Sequence, residues 1–412
     1  MLSRFAARIL AVVAMLGTAL LGARVQGAIH SDPDGLTVHE WGTFTSIAGP
    51  DGQAVEWRPL TGPSDLPCFV TALNPNSIKA NQGGLFGIKA TVRMETPVLY
   101  FYSPTEQTVR ASVSFPRGII SEWYPQATIS PGASIPGTGN SFGRIQWDDV
   151  RVMPGAKERF AIDSQASHYY AARNTDAAPL QAGGQQEKFL FYRGLGSFPI
   201  PVAATFDHDG NVLLKQNGQG EVNTVILFER RAGRVGYRVV HAEGHDVAIP
   251  RPELSATVES LQRELRDVLI EQGLYAREAA AMVDTWRDSW FEEGARLFYL
   301  VPRASVDAVL PLRIEPRPDS VTRVFVGRLE MVTPEIASAV AGALRTSDQS
   351  VLRKYGRFLE PISRMVQGTL AATLDERKID DALRVAAQKW AAPAACRGAG
   401  AAKAVSNPTP IP

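Results

Sequence analysis

Between residues 36 and 250, short β-type segments alternate with turn signals, and this pattern restricts the fold more than any other feature. Valine, isoleucine, threonine and aromatic residues are typical of strands, and the glycine, proline and aspartate between them are typical of turns. The predicted strands cover residues 37–47, 54–60, 91–102, 109–115, 202–206, 212–214, 224–230 and 235–242. Because parallel strands need long crossovers, strands joined by short links are expected to pair antiparallel. The pattern therefore predicts one or two antiparallel β-sandwiches within residues 28–250.

The pattern changes to a helical one after Pro250 and Pro252. One face of a predicted helix, which Gly273 can end, carries Leu254, Val258, Leu261, Leu265, Val268 and Leu269. Strand-like runs at 297–301 and 324–332 interrupt the helices, and Thr333 followed by Pro334 is a typical helix start. Residues 251–391 are therefore predicted to be mixed and mainly helical, which makes the fold α+β. The Ala-, Gly- and Pro-rich residues 392–412 are predicted to be a disordered tail.

The first 27 residues have the features of an export signal. Arg4 and Arg8 precede an uncharged apolar run at residues 9–21, which is shorter than the ~20 residues that a membrane-spanning helix needs. The small residues Val25 and Gly27 predict cleavage near Gly27–Ala28. We therefore expect a periplasmic or secreted protein with no transmembrane segment after signal removal. A retained N-terminal anchor is the alternative.

Charge and cysteine content limit the classes of function. The chain of 412 residues has 43 Lys+Arg and 42 Asp+Glu, and loss of the three arginines in residues 1–27 lowers the formal charge from +1 to −2. Nucleic-acid binding is not expected, because no basic excess is available to neutralise phosphates. The two cysteines, Cys68 and Cys396, can pair in an oxidising compartment. The alternative is two free thiols.

Charged residues interrupt several apolar strands. Alternation along each strand places Glu40 on the face of Val38 and Phe44, and Arg93 and Glu95 on the face of Leu99 and Phe101. By the same alternation, two further arginines continue the apolar faces of their strands: Arg193 and Arg328.

Because a buried, unpaired charge costs several kcal/mol, these groups should meet each other or line a wet cleft. One interpretation is that Glu40, Glu95, Arg193 and Arg328 form structural ion pairs between strands. The other is a catalytic polar pocket in which Glu40 or Glu95 acts as a general acid or base.

Histidines cluster in the run from His241 to Asp246. On a continuous strand, His241, Glu243 and His245 share a face, and neighbours two residues apart can bind one metal ion. Residues four apart on a straight strand are ~13 Å apart, which is too far unless Gly244 bends the chain. One hypothesis is that these three residues form a divalent-metal site. The other is that they are polar residues at the end of a strand.

Several standard catalytic and cofactor motifs do not occur in the sequence. It contains no Gly-x-Ser-x-Gly elbow, no Walker loop and no dinucleotide fingerprint leading from a strand into a helix. Neither cysteine lies in a CxxC or CxxCH arrangement. No nucleotide, flavin or covalently attached haem is therefore expected, and the sequence nominates no serine or cysteine nucleophile.

Several segments resemble stretches of uncharacterised exported bacterial proteins. They are the HEWGTFT run at 39–45, METPVLYFY at 94–102, EWYP at 122–125, FLFYRG at 189–194, SWFEEG at 289–294 and RVFVGR at 323–328. This resemblance covers most of the chain after residue 27. It implies bacterial origin and export, and it assigns no activity, cofactor or site residue.

Three functions are compatible with these features. The first is an exported protein whose β-rich region binds a small-molecule, glycan or cell-envelope ligand. The second is a hydrolase that uses paired carboxylates or a metal ion. The third is a structural or assembly protein of the envelope, with the helical region docking a partner.

Overall fold

The structure, a computed structural model, describes residues 35–60, 66–73, 88–130, 143–164 and 166–369, together with Arg377, Asp381 and Val385. The predicted signal peptide and the predicted tail lie outside the described residues. Contacts divide the chain into two units, Met1–Pro33 and Asp34–Pro412, and all the described residues belong to the second.

The described strands form three sheets. In chain order the strands are β1 Thr37–Ile47, β2 Thr71–Ala72, β3 Val92–Tyr102, β4 Gln107–Ser114, β5 Gly118–Tyr124, β6 Thr128–Ser130, β7 Arg144–Val152, β8 Leu180–Ala182, β9 Gln185–Glu187, β10 Leu190–Gly196, β11 Val202–Phe206, β12 Val212–Gln216, β13 Thr224–Arg231, β14 Arg234–His241, β15 Val247–Ile249, β16 Gly294–Leu300, β17 Leu312–Glu315 and β18 Ser320–Met331. The largest sheet has nine strands in the order β14-β13-β16-β18-β1-β3-β10-β5-β2. A three-stranded sheet has the order β11-β12-β15, and a six-stranded sheet contains β17, β4, β7, β8 and β9, with β6 also paired to β7.

The described helices all follow residue 257, except for one 3₁₀ segment at His168–Arg173. They are α1 Val258–Glu271, α2 Ala276–Thr285, α3 Arg287–Trp290, α4 Arg303–Val309, α5 Pro334–Thr346, α6 Gln349–Leu352, a second 3₁₀ segment at Arg353–Phe358, and α7 Leu359–Thr369. The predicted start of α5 is confirmed, because the Thr333 hydroxyl accepts a hydrogen bond from the Ile336 amide and Pro334 is the first helical residue. No helix in the described ranges is long and apolar enough to cross a membrane.

The expected α+β class is confirmed, whereas the rule that short links lead to antiparallel pairing fails for β3 and β4. The hairpins β11–β12 and β13–β14 pair antiparallel, as their short turns predict. In contrast, β1 pairs in parallel with β18, which is distant in the sequence. The consecutive strands β3 and β4 enter different sheets despite their short link. A short link therefore does not ensure pairing, since Leu99 of β3 and Val113 of β4 lie in one core but in different sheets.

The nine-stranded sheet is covered on both faces. On one face, Val38, Phe44 and Leu99 share a core with Val113 and Trp147 of the six-stranded sheet. This face is the sheet-facing side.

The opposite face, the helix-facing side, carries two separate clusters. Trp41 and Val326 pack in a cluster with residues of α1–α3, and Ile47 packs in another with residues of α5–α7. The charged residues of the candidate site lie in the gap between these two clusters.

Because of an irregularity in β3, some of its side chains lie on a different face of the sheet than strict alternation predicts. The register between β1 and β3 shifts between Trp41 and Thr43, and Thr96 has a left-handed φ of 48°. Alternation is therefore interrupted before Pro97, as at a β-bulge. Leu99 belongs to the core of the sheet-facing side, whereas Glu95 pairs with Arg357 beside the C-terminal helices. The predicted common face of Arg93 and Glu95 with Leu99 and Phe101 is wrong for this reason.

Candidate functional site

A band of charged residues, here called the arginine belt, crosses the helix-facing side of the nine-stranded sheet. Its members are Arg193 of β10, Arg93 and Glu95 of β3, Arg328 and Glu330 of β18, Arg296 of β16, and Arg357 from the 3₁₀ segment at 353–358. Four of these arginines, at positions 93, 193, 296 and 328, are at most 6% exposed. The sheet thus gathers into one row charges that are far apart in the sequence.

The belt lies between the two helix-packed clusters. Along β1, Trp41 belongs to the first cluster and Ile47 to the second, and the alternate residues between them are Thr43 and Thr45. Thr45 is the register partner of Arg93 on one side and of Arg328 on the other. On the helix-facing side, the side chains of β1, β3 and β18 therefore change from apolar to polar at the same level of the sheet.

Glu95 is the most deeply buried carboxylate of the belt. Its Oε1 lies 2.8 Å from Arg357 Nη1 and 3.8 Å from Arg93 Nε. Burial raises the pKa of Glu95, but the positive charges of Arg357 and Arg93, followed by those of Arg328 and Arg193, outweigh it and hold the pKa below its usual value. Glu95 is therefore a permanently charged carboxylate at neutral pH, which does not suit a general acid.

Arg328 and Arg296 form the other end of the belt. Arg328 Nε donates a 2.5 Å hydrogen bond to Glu330 Oε1, and Arg296 Nε lies 2.9 Å from the same oxygen. Burial lowers the pKa of Arg296 to about 10, with Arg328 adding to the effect and Glu330 opposing it. For Arg328, burial also lowers the pKa, but the charges of Glu330 and Glu292 outweigh it. One acidic side chain therefore serves two buried guanidinium groups.

Three of the four residues predicted to cluster do so, and the fourth does not. Glu95, Arg193 and Arg328 all belong to the belt, where Arg193 Nη2 lies 3.3 Å from Thr96 Oγ1. Glu40 lies on the sheet-facing side instead. There its Oε1 accepts a 2.5 Å hydrogen bond from the Tyr192 hydroxyl.

Glu40 is linked to the surface through Arg323, its register partner on β18. Arg323 Nε donates to Glu40 Oε2, and its Nη1 donates a 2.7 Å hydrogen bond to Asp307 Oδ1. Burial lowers the pKa of Arg323, but Glu40 outweighs it and the pKa is raised. Burial, reinforced by Glu40, raises the pKa of Tyr192 well above its usual value, so both partners of Glu40 keep their protons at neutral pH.

Arg323 also lines an open cavity of about 620 Å³, here called the arginine cleft. The cleft lies beside α4 and β17, and Leu312 and Ile314 contribute apolar surface to it. Its charged lining residues are Arg303, Asp307, Arg313, Glu315, Arg317 and Arg323. Four arginines against two acids give the lining an excess of positive charge.

The guanidinium group of Arg323 is the buried polar group of the cleft. Its side chain is 1% exposed, and within the described residues its Nη2 has no hydrogen-bond partner. The exposed arginines are engaged differently: Arg303 Nε donates to Asp307 at 2.8 Å, and Arg313 Nε donates to Glu315 at 2.8 Å. Because that Nη2 atom is itself buried, the N–H donors that the cleft can offer to an anion are those of its exposed arginines, Arg303, Arg313 and Arg317.

Sequence reasoning missed every charged residue of the cleft. The prediction for this strand concerned the face that carries Val324 and Arg328. Arg323 immediately precedes Val324 and therefore lies on the opposite face. The signal that could have found the cleft is the run Arg313-Ile314-Glu315-Pro316-Arg317, where charges alternate along a short strand.

The predicted metal site at His241, Glu243 and His245 does not have the expected geometry. Strand β14 ends at His241, and Glu243 and Gly244 have left-handed φ values of 49° and 75°. The His245 amide donates to the Ala242 carbonyl, which closes a turn. The assumption of a continuous strand is therefore corrected, and among the described residues no group of three His, Cys, Asp or Glu side chains is arranged to hold a metal ion.

Cys68 forms a disulfide. The other cysteine of the sequence, Cys396, lies outside the described residues, so its predicted pairing with Cys68 stays a prediction. A free-thiol assay on the unreduced protein tests it: the pairing predicts no titratable thiol, and two titratable thiols would contradict it.

No known protein family matches this chain, and neither does any curated protein with which it was compared.

Proposed function

We propose that this chain is an exported binding protein that takes an anionic ligand of the cell envelope in the arginine cleft. The ligand class is a glycan or related molecule that carries carboxylate or phosphate groups. Ligand binding is also the function expected from the sequence. The proposed site, however, lies at the junction of α4, β17 and β18 and not in the predicted β-rich region.

The excess of arginine in an open cavity carries this proposal. Arg303, Arg313, Arg317 and Arg323 line a cavity of about 620 Å³ whose acidic lining residues are Asp307 and Glu315. Ligand sites are usually clefts of about 300–1,000 Å³ that combine apolar walls with a few fixed polar groups. Glu40 and Asp307 hold the guanidinium group of Arg323 in a fixed position in this lining.

The fold supports this proposal in a second way. Strand β17 pairs with β4, so one wall of the cleft belongs to the six-stranded sheet. The nine-stranded and six-stranded sheets share a hydrophobic core. We infer that these two sheets form a β-sandwich with the cleft at its margin. The sandwich expected from the sequence ended at residue 250, whereas these sheets also contain β16, β17 and β18.

Binding is favoured over hydrolysis by the position of the carboxylates. Glu40 is 0% exposed, and its two oxygens accept from Tyr192 and Arg323. A general acid or base must reach a substrate proton within hydrogen-bond distance or through one water molecule. Neither Glu40 nor Glu95 lines the cleft, so neither is assigned a catalytic role in it.

A glycan array on the purified protein tests the proposal. The probes are acidic glycans, with carboxylate or phosphate groups, and neutral glycans of matched length. The cleft variant is the double substitution Arg313→Gln with Arg317→Gln, at two exposed positions. The control is Arg263→Gln on the exposed face of α1, which removes one positive charge elsewhere.

The proposal predicts retention of acidic but not neutral glycans, with a clear loss in the double variant and little change in Arg263→Gln. Retention of no acidic glycan contradicts it. Equal retention by the wild type and the double variant also contradicts it, because binding would then occur outside the cleft.

A further inference from the structure

The arginine belt contains polar groups that the described protein does not satisfy. The hydroxyls of Thr43 and Thr45 are fully buried and have no hydrogen-bond partner within the described residues. Nor do Nη1 and Nη2 of the fully buried Arg328, although Nη2 lies 3.6 Å from Glu292 Oε2. Buried polar groups without partners are rare in folded proteins, and each such group costs about 1–3 kcal/mol.

These groups point to the same region of the belt. Thr45 is the register partner of Arg328, and Thr43 is the register partner of Glu95. Directly opposed residues on neighbouring strands project to the same face of a sheet. The two hydroxyls and the Arg328 guanidinium group therefore face the gap between the two helix-packed clusters.

The charges of the belt are also unequal. Among the described residues the belt has five arginines, at positions 93, 193, 296, 328 and 357. The carboxylates that act on them are the buried Glu95 and Glu330, the half-buried Glu122, and Glu292, whose side chain is 48% exposed. Five cations against four carboxylates leave an excess of one positive charge. A buried excess of positive charge is costly unless an anion accompanies it.

We propose that the belt holds a small inorganic oxyanion, phosphate or sulfate, enclosed between the sheet and the C-terminal helices. The acceptor oxygens of such an ion match two hydroxyls and the guanidinium N–H groups of Arg328, which can all donate. Glu95 Oε1 also lacks a hydrogen-bond partner among the described residues, but it is an acceptor and does not bind the ion. This site is independent of the arginine cleft, because it lies on the opposite face of the nine-stranded sheet. The enclosed ion would be part of the fold, whereas the ligand of the cleft exchanges with solvent.

Anion analysis of the purified full chain tests this proposal. The protein is purified and dialysed in chloride buffers without phosphate or sulfate, then denatured, and the released anions are measured by ion chromatography. The proposal predicts a stoichiometric amount of phosphate or of sulfate, and the assay distinguishes the two. Absence of both anions from the denatured protein overturns it.

A pair of conservative variants gives a second test, because the expected change in Tm differs between a belt with a bound ion and a belt without one. In Thr45→Val, loss of a hydroxyl that binds the ion lowers both the anion content and the Tm. If no ion is present, the same variant removes an unsatisfied hydroxyl and leaves the Tm unchanged or raises it. An unchanged or raised Tm in Thr45→Val therefore overturns the proposal.

Ser46→Ala is the matched control. The Ser46 hydroxyl is also buried without a partner among the described residues, but Ser46 is the register partner of Leu329, which belongs to the core of the sheet-facing side. Ser46→Ala should keep the wild-type anion content and should not lower the Tm. A loss of anion in Ser46→Ala equal to that in Thr45→Val contradicts a site on the helix-facing side.

Discussion

Glu40 and Glu95 lie on neighbouring strands of one sheet, and both are almost completely buried, yet their surroundings differ. Glu40 faces the core between the sheets, where Tyr192 and Arg323 engage it. Glu95 faces the helices, where the charges of several arginines act on it. Through Arg323, the Glu40 network reaches a solvent-open cleft, whereas Glu95 is part of an enclosed belt.

This difference shows that burial of a charge does not by itself indicate a function. What distinguishes the two networks is their access to solvent. In the first network, Arg323 lines an open cavity large enough for a ligand. In the second, the donors of Thr43, Thr45 and Arg328 face the interior.

The largest effect is expected from Arg323→Met. The substitution leaves the buried Glu40 without its cation, and breaking a buried ion pair in this way costs about 3–5 kcal/mol. The measurement is the free energy of unfolding in urea. The double variant Glu40→Leu with Arg323→Met removes both charges and should regain a large part of this loss. If the double variant is as unstable as the sum of the two single variants, the pair is not coupled.

Glu95→Gln should cost about 2–3 kcal/mol at neutral pH, because it removes a charged hydrogen-bond acceptor from the belt. The pKa of Glu95 is lower in the folded than in the unfolded state. Its contribution to stability is therefore complete above the unfolded value of about 4.3 and is lost as the pH falls through the folded pKa.

The measurement for Glu95→Gln is the free energy of unfolding of both proteins as a function of pH. The difference between wild type and variant should be constant near neutral pH and should shrink only in acid. A difference that grows as the pH falls would contradict the charged state assigned to Glu95.

Arg357→Gln should have a smaller effect, about 1.5 kcal/mol, because it removes one charged hydrogen bond to Glu95 from a side chain that is 16% exposed. The measurement is the urea midpoint at unchanged slope. Arg353→Gln, an exposed position of the same 3₁₀ segment, is the control and should not change the midpoint. An equal loss in both variants would show that helical propensity, not the contact with Glu95, accounts for the change.

The smallest effect on stability is expected for Arg313→Gln with Arg317→Gln. Both positions are exposed, and surface substitutions usually change the free energy of unfolding by about 0.5 kcal/mol or less. Thermal unfolding without ligand checks this. A large loss of stability would mean that the cleft arginines support the fold, and the reduced glycan binding of this variant could not then be assigned to recognition.

The sequence was sufficient to predict part of the local structure. The strand predicted at 54–60 contains only isolated bridges at Ala54 and Trp57, and the strands β5 and β7 were not predicted. Tight turns between β-type segments predicted the hairpins β11–β12 and β13–β14, and Thr333 with Pro334 predicted the start of α5. These features are determined by residues close together in the chain. The parallel pairing of β1 with β18 was not predictable in this way, because it depends on contacts between residues far apart in sequence.

The candidate sites were predictable only in part for the same reason. Charges on apolar strand faces identified Glu95, Arg193 and Arg328 as members of one cluster. Because of the irregularity at Thr96, Glu95 lies on the face opposite Glu40, and strict alternation cannot predict such a shift. The cleft was missed because its buried cation, Arg323, is paired through a strand register that the sequence does not display.

The most direct test of the comparison is NMR spectroscopy of arginine Nε–H groups during titration with an acidic glycan retained on the array. The protein is labelled with ¹⁵N in arginine, and the signals are assigned with single substitutions. We predict that the signals of Arg323, Arg313 and Arg317 shift on binding, while those of Arg93, Arg296 and Arg328 do not. Shifts confined to the belt arginines, or binding without a shift at Arg323, would contradict the assignment of the arginine cleft as the ligand site.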